Sequence, residues 1–80
     1  MLERIVRLPE VRAISGLSRS SIYAHVRHGL FPRPILLGRR MVGWRESEVA
    51  AVIAARIRGA EDDELRSLVT KLEAARQTAA

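Results

Sequence analysis

The sequence has no cysteine, a single lysine, three aromatic residues and no long hydrophobic run. Without cysteine there is neither a disulfide framework nor a thiolate metal site. A chain of 80 residues buries only about 60% of the surface its unfolded form exposes. It must therefore be held by good packing, a second chain or a partner. No apolar run approaches the roughly 18 residues of a membrane span, and the start Met1-Leu2-Glu3-Arg4 lacks the layout of a signal peptide. A soluble protein of the reducing cytoplasm is expected. His25 and His28 are three apart, but no cysteine or suitably spaced acid joins them, so no metal site is expected. No nucleophile–base–orienter set and no glycine-rich phosphate loop can be assembled from the spacing, which points away from an enzyme and from any cofactor.

What the chain has is arginine, unevenly placed. Residues 1–58 hold eleven arginines against Glu3, Glu10, Glu46 and Glu48, a net of +7, whereas residues 59–80 carry a net of −2. The planar guanidinium fork suits phosphates and guanine edges, so nucleic acid is the leading partner. An anionic membrane is the weaker competitor, because the basic residues are interleaved with turn signals and form no amphipathic basic helix.

A first helix is predicted from Leu8-Pro9, with proline at its opening turn and Leu8, Val11 and Ile14 at helical spacing. Gly16 ends it, Ser18 caps a second helix through Ile22 and Val26, and Gly29 with Pro32 and Pro34 stops that one. Two short helices across a tight glycine turn make a helix-turn-helix outline. Ile35-Leu36-Leu37 and Met41-Val42-Gly43-Trp44 then flank Gly38-Arg39-Arg40 as a two-stranded hairpin tipped with arginine. From Glu46 to Arg58 a helical period returns, with Val49, Val52, Ile53 and Ile57 on one side. A last helix over Glu61–Arg76 carries an apolar stripe at Leu65, Leu68, Val69, Leu72 and Ala75. The expected division is 1–58 as the main domain and 59–80 as a C-terminal amphipathic helix.

Rotation by 100° per residue puts Ile22 and Val26 on the core face of the second helix, with Ser18 and His25 at its edge. Ser20, Tyr23, Ala24 and Arg27 lie opposite, and Arg19 flanks them. That polar, basic face has the size and chemistry to enter a major groove. Tyr23 has two readings, a phosphate contact or a ring packed on the hairpin. Arg39 and Arg40 are placed to clamp a phosphate backbone, with minor-groove insertion as one mode. Phe31 and Trp44 are expected to anchor the hairpin to the helices, and His25 to be a satisfied core-edge residue.

The ordered segments Gly-Leu-Ser-Arg-Ser-Ser-Ile-Tyr at 16–23, Gly-Leu-Phe-Pro-Arg-Pro at 29–34 and Gly-Trp-Arg-Glu-Ser-Glu-Val at 43–49 resemble the AlpA-type phage regulatory proteins, small relatives of MerR-like winged-helix and excisionase domains. The likeness runs from Arg7 to about Ile57. It implies a mainly α fold with a small β-hairpin, a winged helix-turn-helix that binds duplex DNA. Its recognition helix would span about 18–28 and its wing about 35–44. Ser18, Arg19, Ser20, Tyr23 and Arg27 then fall on the recognition helix, and Arg39 and Arg40 on the wing. The function so implied is a sequence-preferring transcriptional regulator of prophage or mobile-element genes, associated with the nucleoid.

An excisionase that bends DNA and recruits an integrase needs the same module and is the nearest alternative. Integrase and RNA polymerase are accordingly the candidate protein partners. The tail stripe is read as a homodimer face through Leu65, Leu68, Val69 and Leu72, since dimers gain specificity from two half-sites. The competing reading folds that stripe back on its own domain. A third reading, from another class, is a protein-interaction module that acts through the C-terminal helix.

Overall fold

The computed structural model of the chain describes residues 3–77. The outermost positions of the two expected units, 1–2 and 78–80, lie outside the described residues. Seven elements follow in order: β1 (Ile5–Val6), α1 (Leu8–Ser15), α2 (Arg19–Arg27), β2 (Ile35–Leu36), β3 (Val42–Arg45), α3 (Glu46–Ile57) and α4 (Asp62–Ala75). The fold is mainly helical with a small antiparallel sheet, the arrangement of a winged helix-turn-helix.

Local chemistry explains the first half. Pro9 sits in the first turn of α1, where its missing N–H costs no helical bond. Gly16 ends that helix in the left-handed region at φ +73°, a conformation that side chains with a Cβ resist, and its amide bonds the Arg12 carbonyl at 2.8 Å. Two residues later Ser18 Oγ accepts the Ser21 amide at 3.1 Å and starts α2. The helix-turn-helix is thus closed by one glycine and one serine.

The sheet has three strands, in the order β1-β3-β2, where the sequence predicts a two-stranded hairpin. Ile5 pairs with Arg45 and Val6 with Trp44; on the other side Ile35 pairs with Gly43 and Leu36 with Val42. Only two residues of β1 join the ladder, too few for a period-2 pattern to show. The hairpin closes through the Leu37 amide on the Met41 carbonyl at 2.7 Å, with Gly38, Arg39 and Arg40 at its tip. This is the wing.

Trp44 organises the core. Its ring meets Tyr23 and Phe31 edge-on, with centroids 6.2 and 6.4 Å away, and its indole N–H donates to the Pro32 carbonyl at 2.9 Å. Val6, Val11, Ile22, Val49 and Val52 complete the buried centre. Two helical faces differ from expectation. The buried side of α3 runs through Glu48, Val49, Val52 and Ala55, while Ile53 is half-buried and Ile57 is 80% exposed, because α4 packs against α3 and turns that face towards itself. Ile14 is exposed at the end of α1, where the helix runs past the core.

The apolar stripe of α4 also departs from the reading as a homodimer face. Leu65 and Val69 are buried in the same cluster as Ile22 and Phe31, and Leu68 and Leu72 pack partly against it. Of the surface expected to meet a second copy, Leu65 and Val69 are covered within the chain and Leu68 and Leu72 are half-buried. The competing reading, in which the stripe folds back, is the one the structure contains.

Candidate nucleic-acid interface

The second helix presents the faces that its spacing predicts. Ile22 is fully buried and Val26 half-buried, while Arg19, Ser20 and Arg27 are exposed. His25 is half-buried, and its Nδ1 donates to the Ser21 carbonyl one turn back at 2.7 Å, which fixes its ring at the edge of the core. Among the described residues no group of three or more histidines, cysteines and acids comes together that could hold a metal ion.

Of the seven sequence-predicted site residues, three converge: Arg19, Tyr23 and Arg40 line one open recess of about 330 Å³ between α2, the start of α1 and the wing. Of the two readings of Tyr23, the structure contains the packed ring. Its ring leans on Trp44 from inside, and the Arg19 guanidinium lies 5.6 Å above the same ring from outside. That cation–π contact contributes about 0.5–1 kcal/mol at an exposed site and holds Arg19 across the helix surface.

The remaining predicted residues stand apart from the recess. Ser18 caps α2; its hydroxyl accepts the Ser21 amide and donates to Ser21 Oγ, and the residue lines a separate recess with Arg12 and Gly16. Ser20 and Arg27 are exposed on α2, and Arg39 is exposed at the wing tip.

Arg7 lines the recess too, and the sequence reading did not select it. It occupies the N-cap position of α1 in extended backbone, so it stands beside the groove between helix and wing. Its place just before Leu8-Pro9 was the available signal.

The pairing of the arginines separates two groups. Arg4, Arg33, Arg45, Arg66 and Arg76 are held by carboxylates at 2.6 to 3.7 Å. Among the described residues eight arginines have no carboxylate partner. Six of the eight, Arg7, Arg12, Arg19, Arg27, Arg39 and Arg40, lie on the helix-turn-helix, the residue before it, or the wing tip. The other two, Arg56 and Arg58, are at the end of α3. The exposed guanidinium groups among them keep donors available for an external anion, whereas Arg56 has its Nε and Nη2 buried.

The helix-turn-helix and the wing define the fold of a small winged helix-turn-helix protein. Residues 4–57 match the family described as Prophage CP4-57 regulatory protein (AlpA), and the chain belongs to that family. It is also 51% identical over 57 residues to the uncharacterized protein ORF88 of Enterobacteria phage P4, a match that takes in 71% of this chain and 65% of the relative. The chain thus spans a little under two thirds of that relative's length. No solved structure matches it.

Proposed function

We propose that this protein is a sequence-preferring, double-stranded DNA-binding regulator of prophage or mobile-element genes that acts in the cytoplasm on the nucleoid. Its class is MerR-like: α2 is the recognition helix, read through Ser20, Arg27 and the Arg19–Tyr23 pair, and the β2–β3 hairpin is the wing. The observation that carries this reading is the set of six arginines left without carboxylates on the helix-turn-helix and the wing tip. Five arginines elsewhere on the chain are ion-paired, whereas these six have no carboxylate among the described residues and suit a polyanion. Membership of a phage regulatory family points the same way. Among the described residues no helix is long and apolar enough to cross a membrane, which fits an aqueous site of action.

Base edges in the major groove would be read from the exposed face of α2, while Arg7, Arg39 and Arg40 hold phosphates on either side. The alternative of an interaction module acting through the C-terminal stripe is left with a reduced surface, since Leu65 and Val69 are buried and Leu68 and Leu72 are half-buried.

The test is selection of bound duplexes from a random library by the purified chain, with the enriched pool measured across salt concentrations. The expected result is a recovered motif and a log–log salt slope of up to about −5, from about 0.9 per neutralised phosphate. No enrichment together with a flat salt response would overturn the reading. A large bend in circular-permutation gel shifts would redirect it to the excisionase role.

A further inference from the structure

The family match ends at Ile57, so the whole of α4 lies outside it. Yet α4 reaches the segment that joins the recognition helix to the wing. Arg66 Nε donates to the His28 carbonyl at 3.0 Å, and the Arg66 stem runs beneath Gly29, where a Cβ would stand 3.6 Å from Cγ. Two turns on, Glu73 Oε2 accepts the Arg33 amide at 2.9 Å, and its Oε1 lies 3.3 Å from Arg33 Nε. Near the end of the helix Arg76 Nη2 donates to the Arg33 carbonyl at 2.8 Å, and the same side chain grips both oxygens of buried Glu48 at 2.6 and 2.9 Å.

Residues 66, 73 and 76 follow one another at i, i+7 and i+10, so they form one stripe of α4 beside the apolar stripe at Leu65 and Val69. All three reach backbone groups of the connecting segment: His28 O, Arg33 N and Arg33 O. The His28 carbonyl stands at the C-terminal end of α2, where helix carbonyls lack intrahelical partners and a cation complements the dipole. β2 contributes only two residues to its ladder, so contacts from outside the sheet add to what fixes the wing's angle. A binding constellation works only when its parts are held to about half an ångström.

We propose that α4 is a splint that fixes the recognition helix against the wing, with Arg66 and Glu73 as positioning residues for DNA binding that do not touch the duplex. This rests on the DNA-binding reading above. The two Arg66 substitutions and Glu73→Gln separate positioning from mere stability, because Arg66 is about half exposed and its loss leaves the core filled.

The experiment uses the full chain as wild type, Arg66→Ala, Arg66→Lys and Glu73→Gln. Each is measured for thermal unfolding, amide exchange of residues 28–37, and affinity and salt slope on the selected duplex. The expected result is a loss of affinity of about tenfold for Arg66→Ala, within the range of ordinary site-to-site coupling. Glu73→Gln is expected to lose less, Arg66→Lys to recover most of the loss, and exchange to quicken in 28–37 while the amides of Val49 and Val52 stay protected. The salt slope stays that of the wild type, because no phosphate contact is removed. A slope reduced by about one unit would make Arg66 a direct phosphate ligand and overturn the positioning role. Faster exchange with affinity unchanged within twofold would also overturn it while leaving the DNA reading intact. A wild type that binds no duplex overturns both.

Discussion

Replacing Arg76 by alanine strands Glu48, the one buried carboxylate among the described residues. The Glu48 side chain is only 2% exposed, and Arg76 supplies both of its short bonds. Its other cation, Arg45, stands 3.7 Å away with its Nε committed to Glu3 at 2.9 Å. Breaking a buried pair from one side costs about 3–5 kcal/mol, because the remaining charge keeps its desolvation penalty. The Arg76 side chain is itself about one-fifth exposed, so water can enter where it leaves, which sets the expectation near the lower end, about 3 kcal/mol. For a domain of this size each kcal/mol lowers Tm by about 4–8 °C, so the variant should melt about 12–24 °C below the wild type. Urea unfolding followed by fluorescence of the buried Trp44 measures the free energy directly. The control is the double substitution Glu48→Leu with Arg76→Leu. Removing both charges should cost far less than removing one, since apolar replacements of buried pairs are often neutral. A loss below about 1 kcal/mol for Arg76→Ala, or a double variant no better than the single, would refute the reasoning.

Arg27→Ala should weaken the selected duplex by about 1–3 kcal/mol and relax preference at one base position, whereas Arg39→Ala should weaken all duplexes alike; equal losses on specific and random DNA for both would remove Arg27 from base readout. The Glu3 carboxyl titrates below its ordinary value, chiefly through the Ser47 hydroxyl bond at 2.6 Å, opposed by partial burial and assisted by Arg45. A depressed carboxylate contributes stability above its unfolded value of about 4.3, and the contribution is lost as pH falls through the lower folded value. Glu3→Gln should therefore flatten the acid limb of the stability profile below about pH 4, and superimposable limbs would contradict the assignment. At Gly43 an added Cβ would come within 2.6 Å of Ile5 Cγ2, 2.9 Å of Leu37 Cδ1 and 3.2 Å of the Val6 carbonyl. Leu37 Cδ1 can swing away, but Ile5 Cγ2 sits on a stiff β-branch and the Val6 carbonyl is backbone, so Gly43→Ala should lose about 1–3 kcal/mol despite the gain from restricting the unfolded chain; a rise in urea midpoint would show slack between the strands.

Much of this fold is written in local signals. Gly16, Ser18, Pro9 and the 38–40 turn act on their own neighbours, so the helix-turn-helix and the wing are legible without tertiary information. Apart from Ile14, the misses depend on partners far along the chain. Ile5-Val6 becomes a strand only because Trp44 and Arg45 lie beside it, and Glu48 is buried only because Arg76 arrives 28 residues later. Ile57 has the right period for the core face of α3 but the wrong side once α4 packs there. The candidate site follows the same division. Arg19, Tyr23 and Arg27 could be placed on α2 by rotation alone, whereas the approach of Arg7 and Arg40 to the same recess requires the sheet to bring the start of α1 against the wing.

The unequal pairing of the arginines gives stability and binding opposite responses to salt. Like charges about 10 Å apart in water repel by roughly 0.4 kcal/mol per pair. Six uncompensated arginines on the helix-turn-helix and wing tip therefore place a repulsion on the DNA-free chain that salt relieves, since the Debye length is about 10 Å at 0.1 M and 30 Å at 0.01 M. The buried Glu48–Arg76 pair is screened much less, and the exposed bridges of Arg4 and Arg66 are worth little at any salt. Raising salt from about 0.01 to 0.15 M should then raise Tm while it weakens the duplex complex. The variant Arg39→Ala/Arg40→Ala should show a smaller rise in Tm and a shallower binding slope together, because the same guanidinium groups cause both. A Tm that falls with salt in the wild type would mean that the exposed ion pairs outweigh the free cations, and the separation of the two groups would lose its energetic meaning.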